Sequence, residues 1–476
     1  MVTRSADVPA AEVGTALHPI TAPLPLAPVE TPVLDHLAHA AAVHRAVAEI
    51  NERDGVDVVL TPLWGCEGIV CLLDDRFPTV VSCMTSMTTI HELRGDVDAT
   101  DAVAQLIALE RATVSRARYA HGLTRSSLEK TLRDYGGATV DTAIVGRGLA
   151  DRTGGDAGPE SAPGEPPQIL FVGRLERRKG AAALLDAARR LAAQGVAFSL
   201  VLAGPDTYDT ETGEPYRASF ERVAGREPSL AGAVTFAGAV SDGELNGLYR
   251  RADVVCVPSR YESHGVVLVE AMMFGKPIVA GAAGGVPEVV EEGGNALLAA
   301  PGDAESLAGE LRRLIGDADM RRRFGARSRA LYEERFEVGA VSGAMELFLS
   351  RVSAAHPRAE VAPADLRDRL AAVVREVLPL DLAAAAEIAG DLLTPPPESW
   401  GAAALGAERE RAAWHARALE AERQVGEWRA RALEAERQRE VGEAALASVS
   451  GSRWWRLTLP LRRLTRALRP GSSRSR

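Results

Sequence analysis

Short apolar runs alternate with longer amphipathic segments between residues 168 and 315. The apolar runs are rich in Val, Ile, Leu and Ala, which is typical of strands that are buried on both faces of a parallel sheet. The predicted strands are residues 168–172, 198–203, 234–237, 253–258 and 277–280, and the predicted helices are residues 181–194, 242–251, 266–274 and 304–315. This order predicts a doubly wound α/β domain, and ligands of such domains bind at the carboxyl ends of the strands.

A second alternation of strands and helices precedes this domain. The predicted strands there are residues 56–60 and 79–82, and the predicted helices are residues 32–51, 102–120 and 126–134. The pattern favours another parallel sheet that is covered by helices. Residues 151–167 consist mainly of Gly, Pro and acidic residues and have almost no apolar side chains, which indicates a boundary between two domains.

The composition excludes several classes of protein. The 476 residues carry a net charge of -10, with 46% hydrophobic and 25% charged residues, so the chain is not a general nucleic-acid binder. The four cysteines have no CxxC spacing and no histidine cluster, so we expect reduced, mostly buried thiols and no metal site. No apolar run approaches the roughly 18 residues that span a bilayer, and no signal pattern begins the chain, so we expect a cytoplasmic location.

The segment GRLERRKG lies between a predicted strand and a predicted helix, from Gly173 to Gly180. Gly173 permits a tight turn and a close backbone approach. Arg174 and Lys179 then lie over the strand ends as fixed positive charges, and a diphosphate requires such charge-assisted donors. The alternative is an ordinary surface loop with solvated basic side chains, and this motif alone does not decide between the two.

Two glutamates, Glu262 and Glu270, are separated by seven residues at a similar junction. Glu262 falls in the loop after a predicted strand, and Glu270 lies just over one turn into the following helix. That helix begins near Gly265, and the free N–H groups of its first turn favour phosphate oxygens. The alternative for Glu270 is a charged residue in an ordinary helix, but its neighbours are all apolar. A buried carboxylate needs hydrogen-bonding partners, so we interpret the pair as functional.

Together these motifs resemble the carboxy-terminal domain of the retaining glycosyltransferases of family 4, which have the GT-B fold. The resemblance extends over residues 168–336, about a third of the chain. It rests on the GRL-x-x-x-KG turn, the Glu-x7-Glu motif and five further segments in the same order, residues 202–204, 236–238, 275–280, 284–288 and 295–298. It implies an α/β GT-B fold with two Rossmann-like domains, the amino-terminal one incomplete, and a helical and coiled-coil carboxy-terminal extension.

The resemblance implies roles for particular residues in binding a nucleoside diphosphate sugar. Arg174 and Lys179, after the turn at Gly173, would hold the donor diphosphate, Glu270 the ribose and Glu262 the transferred sugar. Arg174, Lys179 and Glu262 are therefore the predicted catalytic residues. No metal is expected, because the basic side chains and the helix amides stabilise the charge on the leaving diphosphate. Family members retain the anomeric configuration with the departing phosphate taking the acceptor proton, so neither glutamate is interpreted as a nucleophile.

Further positions complete the implied donor site. The backbone from Gly238 to Val240 would contact the nucleobase, and the amides of Gly265 and Val266 would bind phosphate. His264 stands where many family members carry an aromatic residue. A histidine there either bonds a phosphate or fills space, and the sequence leaves both roles open.

The amino-terminal half resembles the family's acceptor domain only in part. Residues 57–60, 78–82 and 122–126 fit the later strands of that domain. The family usually opens with a strand, a Gly-rich loop and a helix, and residues 1–50 contain no such segment, so the domain is predicted to be shortened or diverged. Met84 occupies a position where many members carry a histidine, and His91 is a candidate for that role.

The region after residue 353 contains predicted helices and a repeat. Residues 354–406 hold two helical patterns that the prolines at 395–397 interrupt. Nearly identical sequences begin at Trp414 and Trp428, two heptads apart, which predicts a short coiled coil over residues 407–445. Such a coiled coil would join copies of the chain into a homo-oligomer.

The last segment of the chain is basic. Residues 453–476 contain eight Arg and no acidic residue, and leucines recur at helical spacing within them. With Trp454 and Trp455, residues 453–469 are predicted to lie on an anionic membrane surface, at the inner face of the plasma membrane. The alternatives are a solvated basic tail or a helix that binds a protein partner.

The chain is thus divided into seven segments. They are a disordered amino terminus (1–30), a partial acceptor-side Rossmann-like domain (31–150), a linker (151–167), a nucleotide-sugar-binding Rossmann-like domain with a closing helix (168–353), a helical linker (354–406), a coiled coil (407–445) and a basic amphipathic tail (446–476). The predicted activity is transfer of a sugar from a nucleoside diphosphate to a polysaccharide, glycolipid or other glycoconjugate. The alternatives are a non-catalytic nucleotide-binding scaffold that recruits partners through its coiled coil and, last, a sugar-nucleotide epimerase.

Overall fold

The computed structural model describes residues 2–3, 18–19, 32–94, 101–137, 141–154, 165–208, 214–225, 230 and 232–394. The predicted coiled coil and the predicted basic tail lie outside these residues, as does most of the amino-terminal segment before residue 31. Two short strands, β1 (Val2–Thr3) and β2 (His18–Pro19), pair in parallel with each other.

The amino-terminal half is a parallel sheet with helices packed mainly on one face. Its strands, in the order β3-β4-β5-β6, are β3 (Val59–Pro62), β4 (Thr79–Cys83), β5 (Tyr119–Gly122) and β6 (Asp141–Ile144). Its helices are α1 (Pro32–Asp54), α2 (Ile69–Leu73), α3 (Met87–Arg94), α4 (Asp101–Arg116) and α5 (Arg125–Tyr135). The alternation of strands and helices predicted for this half is confirmed.

Two of the predicted boundaries in this half are wrong. The helix predicted over residues 102–120 ends at Arg116, and a fully buried strand begins three residues later at Tyr119. The strand predicted at 122–126 therefore lies earlier, at Tyr119–Gly122. Helix α5 begins at Arg125 because the Thr124 side chain accepts a hydrogen bond from the Ser127 amide and so caps the helix.

The carboxy-terminal half is a six-stranded parallel sheet. Its strands are β7 (Gln168–Val172), β8 (Ser199–Ala203), β9 (Val234–Gly238), β10 (Val254–Val257), β11 (Ile278–Gly281) and β12 (Ala296–Ala299). They lie in the order β12-β11-β10-β7-β8-β9, so the direction of strand addition reverses between β7 and β10. Loops that follow neighbouring strands at such a reversal leave a crevice at the carboxyl edge of the sheet, where ligands of α/β domains bind.

Helices cover both faces of this sheet. They are α6 (Ala181–Ala193), α7 (Tyr216–Ala224), α8 (Asp242–Arg251), α9 (Val266–Met273), α10 (Val286–Val289), α11 (Ala304–Gly316) and α12 (Ala318–Leu331). Helices α6, α7 and α11 contribute to the core on one face, and α8, α9 and α10 to the core on the other. The predicted doubly wound architecture is confirmed, although the sequence pattern did not predict α7, α10, α12 or β12.

The chain returns to the amino-terminal half after α12. A single π-helical turn at Tyr332–Phe336 leads into α13 (Val338–Ala355), whose Phe348 and Val352 pack against Val80 and Tyr119 of the first sheet. Two further helices, α14 (Pro363–Val377) and α15 (Leu382–Leu393), pack into the core of that half. A break between Val377 and Leu382, which the sequence pattern did not predict, separates these two helices. Helix α15 ends at Leu393, just before the prolines at 395–397, and the predicted break there stays a prediction because residues after 394 lie outside the described part of the chain.

All four cysteines are buried and form no disulfide. Burial raises the pKa of Cys66, Cys71 and Cys83 to about 12 each, and it raises the pKa of Cys256 as well. The expectation of buried thiols is therefore confirmed. Among the helices in the described ranges, none combines the length and the apolar character that crossing a bilayer requires.

Candidate functional site

The loop after β7 has glycines at positive φ, and one of them allows it to approach the loop after β10 closely. Gly173 has φ +147° and Gly180 has φ +76°, both in the region that favours glycine. A Cβ atom at Gly180 would lie only 2.0 Å from the carbonyl oxygen of Pro258. The Arg260 amide also donates a 2.8 Å hydrogen bond to the Arg178 carbonyl. The two segments that the sequence singled out are thus in direct contact.

Lys179 and Glu262 form an ion pair at this junction. The Lys179 ammonium donates to Glu262 Oε1, which also accepts a 2.9 Å hydrogen bond from the Ser259 hydroxyl. Arg178 is farther away, with 4.0 Å from its Nη1 to Glu262 Oε2. The Glu262 side chain is only 9% exposed, so these cations compensate a carboxylate that is largely removed from water. Ser259 and Arg178 were not among the predicted site residues.

Arg174 lies on the same loop but is oriented differently from Lys179. Its guanidinium pairs with Glu176, with 3.1 Å from Nη2 to Oε2, and its side chain is 61% exposed. A long cationic side chain with this exposure reorients at low cost, because an exposed ion pair contributes only about 0–1 kcal/mol. Arg174 is therefore an exposed cation in a weak ion pair, whereas Lys179 pairs with a largely buried carboxylate.

Helix α9 begins directly after the Glu262 loop. Gly265 precedes it with φ +82°, and the Leu268 amide donates a 2.9 Å hydrogen bond back to the Gly265 carbonyl. The first amides of an α-helix lack partners within the helix, and the dipole adds positive potential there. The predicted start of the helix at Gly265 and Val266 is confirmed, and it lies beside the Lys179–Glu262 pair.

The segment predicted to contact a nucleobase lies at the end of β9. Gly238 has φ +70°, and its carbonyl accepts a 2.7 Å hydrogen bond from the amide of Gly204, which follows β8. Gly204 in turn lies close to the Gly173 carbonyl, because a Cβ atom there would be 2.0 Å from that oxygen. Val240 is partly buried against the core under α8. The carboxyl ends of β7, β8 and β9 thus form one continuous edge.

Glu270 makes its contacts with α8 and with the segment that enters this half. The Tyr249 hydroxyl donates a 2.8 Å hydrogen bond to Glu270 Oε2, and Arg152 Nη2 donates a 2.6 Å bond to Oε1. The Glu270 side chain is 12% exposed, so the expectation of a mostly buried, hydrogen-bonded carboxylate is confirmed. Burial and the nearby carboxylate raise the pKa of the Tyr249 hydroxyl, which keeps it a donor. Neither partner of Glu270 was predicted from the sequence.

His264 faces the segment between the two halves. Its Nε2 accepts a 3.3 Å hydrogen bond from the Arg147 amide, and its ring packs edge-on against Phe336. A Cβ atom at Gly146 would lie 2.9 Å from the same nitrogen, so this segment passes very close to the ring. Burial, together with Arg147 and Arg335, lowers the pKa of His264 to about 4. Of the two open roles, this packing favours filling space over binding a phosphate.

Residues at the start of α5 contact the Glu262 loop and α10 from the other half. Thr124 Oγ1 donates a 2.6 Å hydrogen bond to the Ser263 carbonyl. The Glu288 carboxylate accepts 2.8 Å bonds from the amides of Arg125 and Ser126. These bonds lower the pKa of Glu288, which places a negative charge at the α5 amino terminus. The cleft between the halves is thus bridged beside the proposed donor loop.

The amino-terminal half contains a buried histidine that the sequence did not single out. His121, in β5, is buried; its Nδ1 lies 2.9 Å from the Ser82 hydroxyl and its Nε2 lies 2.8 Å from the Val145 carbonyl. Burial lowers the pKa of His121, so the neutral ring is favoured. His91, the earlier candidate, lies on α3 and is half-buried.

A groove of about 1150 Å³ lies between the start of β3 and α13, lined in part by Val56, Val341 and Met345, and it contains none of the predicted donor residues. Within the described ranges, no three His, Cys, Asp or Glu side chains are grouped so that they could hold a metal ion.

Comparison with known proteins finds relatives that are similar to part of this chain. Residues 157–331 match the family model described as Glycosyl transferases group 1. Alpha-D-kanosaminyltransferase of Streptomyces kanamyceticus is 28% identical over 37% of this chain and 43% of its own length. D-inositol 3-phosphate glycosyltransferase of Corynebacterium efficiens is 29% identical over 60% of this chain and 69% of its own. The chain therefore spans from under half to about two thirds of these relatives.

A solved structure extends the likeness to both halves. Sucrose-phosphate synthase from Thermosynechococcus elongatus has a TM-score of 0.55 and 24% identity, and the match covers 71% of this chain and 84% of that one. At this identity the likeness establishes the fold, and the predicted GT-B arrangement of two Rossmann-like halves is confirmed. Over residues 157–331, which hold the Lys179–Glu262 pair and helix α9, the chain is similar to the group 1 glycosyl transferases.

Proposed function

We propose that the chain is a glycosyltransferase that uses a nucleoside diphosphate sugar as donor. The observation that supports this most is the ion pair between Lys179 and Glu262 beside the amino terminus of α9. It lies where the strand order of the sheet reverses, and a diphosphate fits the combined positive charge of Lys179, Arg174 and the helix amides. The family match over residues 157–331 and the names of both relatives above support the same reaction class.

Within the proposed site each group has one role. Lys179 and Arg174 hold the diphosphate, Glu270 accepts hydrogen bonds from the ribose, and Glu262 orients the transferred sugar. Negative charge grows on the β-phosphate as the glycosidic bond breaks, and the cations and amides stabilise it without a metal. Glu262 is already bonded to Lys179 and Ser259, which suits a binding group better than a nucleophile.

We further propose that the reaction retains the anomeric configuration. The acceptor attacks the face from which the diphosphate leaves, and a phosphate oxygen of the leaving group takes the acceptor proton. The C–O bond to the phosphate breaks as the C–O bond to the acceptor forms, so no covalent enzyme intermediate is needed. This route requires only positioning and charge stabilisation from the side chains.

The acceptor in this proposal is a polysaccharide, a glycolipid or another glycoconjugate. The basic residues 453–469 would hold the protein at the inner face of the plasma membrane, where glycolipid acceptors lie, and residues 407–445 would join copies of the chain. Both segments lie outside the described residues, so these two partners rest on the sequence alone.

Turnover distinguishes the proposal from its alternative. Purified full-length protein is incubated with UDP-, GDP-, ADP- and TDP-sugars, and the free nucleoside diphosphate and the released sugar are measured by chromatography. We expect one donor to be consumed, with loss of activity in Lys179→Ala. Arg190→Ala is the matched control, because Arg190 lies on α6 and pairs with Asp186 in an exposed ion pair. Binding of a donor without any turnover would support the scaffold, and interconversion of two donor sugars would support the epimerase.

A further inference from the structure

A strap of residues 149–153 crosses the carboxy-terminal half after the chain leaves the first domain. The Asp151 carboxylate accepts a 2.6 Å bond from Arg329 of α12. The Thr153 carbonyl accepts a 3.1 Å bond from Arg250 of α8. The strap is thus fixed on both sides of Arg152, at points that do not touch the proposed donor groups.

Arg152 is the strap residue that reaches the proposed donor site. Its backbone amide lies 3.4 Å from the Met273 sulfur at the end of α9, and its Nη2 donates the 2.6 Å bond to Glu270 Oε1. Tyr249 occupies the other oxygen of the same carboxylate at 2.8 Å. Arg152 and Glu270 are 32% and 12% exposed, so the pair is sheltered and its geometry is well constrained.

Arg152 and Tyr249 leave some of the hydrogen-bond acceptor positions of the Glu270 carboxylate available to a ligand. An ionised carboxylate offers about four acceptor positions, two on each oxygen. Arg152 takes one position on Oε1 and Tyr249 takes one on Oε2, so each oxygen keeps one position for a ligand. Two neighbouring hydroxyls, such as those of a ribose, are the donors that fit one position on each oxygen.

We infer that Arg152 is a positioning residue that fixes Glu270 for recognition of a ribose 2′,3′-diol; the inference rests on the proposed function. A glutamate side chain that is held in its binding rotamer before the ligand arrives loses less entropy on binding. The guanidinium also compensates a carboxylate that has been largely removed from water.

The test compares ribonucleotides with their 2′-deoxy counterparts. Binding of UDP, GDP and ADP, and of dUDP, dGDP and dADP, to the full-length protein is measured by calorimetry. For the nucleotide that binds, we expect the 2′-deoxy form to bind wild type at least about tenfold more weakly than the ribonucleotide. This is the effect of losing one hydrogen bond to a charged group. In Arg152→Ala and Arg152→Gln this ratio falls to about twofold. Glu270→Gln gives the same fall.

Arg329→Ala is the matched control, because it removes a neighbouring anchor of the strap without touching Glu270. We expect it to keep the wild-type ratio. An unchanged ratio in both Arg152 variants overturns the inference and leaves the proposed function standing, since wild type still binds the nucleotide. An equal fall in Arg329→Ala also overturns it, because the strap as a whole and not the guanidinium would then be responsible. A wild type that binds none of the six nucleotides also overturns the inference, whereas the proposed function is decided separately by the turnover of the four donor sugars.

Discussion

Thr124 of the amino-terminal half donates a 2.6 Å hydrogen bond to the carbonyl of Ser263 in the carboxy-terminal half. Ser263 follows Glu262 directly, so the loop that carries this carboxylate is held from both sides of the cleft. Lys179 fixes the Glu262 side chain, and Thr124 fixes the backbone one residue later. The geometry of the proposed donor loop therefore depends on contact between the halves.

Replacing Thr124 by Val removes this bond and also the cap of α5, because the same oxygen accepts from the Ser127 amide. We expect the free energy of unfolding to fall by about 1–2 kcal/mol, the usual cost of losing a cap or a buried bond. Urea unfolding measures the change. Thr124→Ser keeps the hydroxyl and should remain within about 0.5 kcal/mol of wild type. Equal stability of the Val and Ser variants would contradict this account of Thr124.

Gly285 provides a second test of the same contact. A Cβ atom there would lie 2.2 Å from the Ser263 carbonyl oxygen and 2.5 Å from Thr124 Oγ1. We expect Gly285→Ala to lower the free energy of unfolding by about 1–3 kcal/mol, because the added methyl group forces the two loops apart. In contrast, Gly309 lies within α11 with nothing near its Cβ position, and Gly309→Ala should stabilise the chain by up to about 1 kcal/mol. Thermal unfolding of both variants measures these two changes. A Gly285→Ala variant that is as stable as wild type would contradict the close contact with Ser263 and Thr124.

Glu110 gives the stability of the amino-terminal half a pH dependence. This buried carboxyl accepts bonds from the Met87 amide and the Tyr135 hydroxyl, and burial raises its pKa from 4.5 to about 7. The folded state binds this proton more tightly than the unfolded state does. The resulting stabilisation of the fold is complete below pH 4.5 and is lost as the pH rises toward 7. The pKa difference corresponds to about 3 kcal/mol. Glu110→Gln should abolish this loss of stability. The free energy of unfolding, measured at several pH values in wild type and in the variant, tests this. The same dependence on pH in both proteins would contradict the assignment to Glu110.

His264 gives the folding stability a pH dependence of the opposite sign. Its pKa is lowered from 6.5 to about 4, so the folded state favours the neutral ring. Its contribution is present above pH 6.5 and is lost as the pH falls toward 4, again about 3 kcal/mol in total. Between pH 4.5 and 6.5 the two groups change the stability in opposite directions, so their pH dependences partly cancel in wild type, and each variant changes the slope. We expect His264→Phe to lose less stability on acidification than wild type, and a steeper acid loss in the variant would contradict the assignment.

The periodicity of the sequence was sufficient to predict five of the six strands of the carboxy-terminal sheet, all except β12. These strands are mostly apolar, and a glycine lies at or directly after the end of β7, β8, β9 and β11, so the strands and helices are distinguishable in the sequence. The same reasoning failed at residues 117–122, where Tyr119 and Ala120 continue the apolar pattern of α4. The strand there is recognisable only through its pairing with β4, which is a tertiary interaction.

The candidate site likewise contains some residues that the sequence predicted and others that it did not. Lys179, Glu262 and Gly265 belong to local motifs whose spacing indicates their role, and the structure places them together. Arg152 and Tyr249 gave no such signal. Arg152 lies in a segment with no periodicity, and Tyr249 resembles any aromatic residue on the buried face of a helix. Their role appears only when the fold brings residues 118 and 21 positions away against Glu270.

The central claim is that a nucleoside diphosphate sugar binds beside Lys179 and Glu262, with the exposed Arg174 as a further cation for the diphosphate. The most direct test is a thermal-shift panel of UDP-, GDP-, ADP- and TDP-sugars on wild type and on Arg174→Ala. Arg174 is exposed, so both proteins should unfold at the same temperature without ligand. We predict that one donor stabilises wild type by about 2.7 kcal/mol at 100 times its dissociation constant, and that Arg174→Ala responds far less. An equal response of both proteins, or no response of wild type to any donor, would contradict the account.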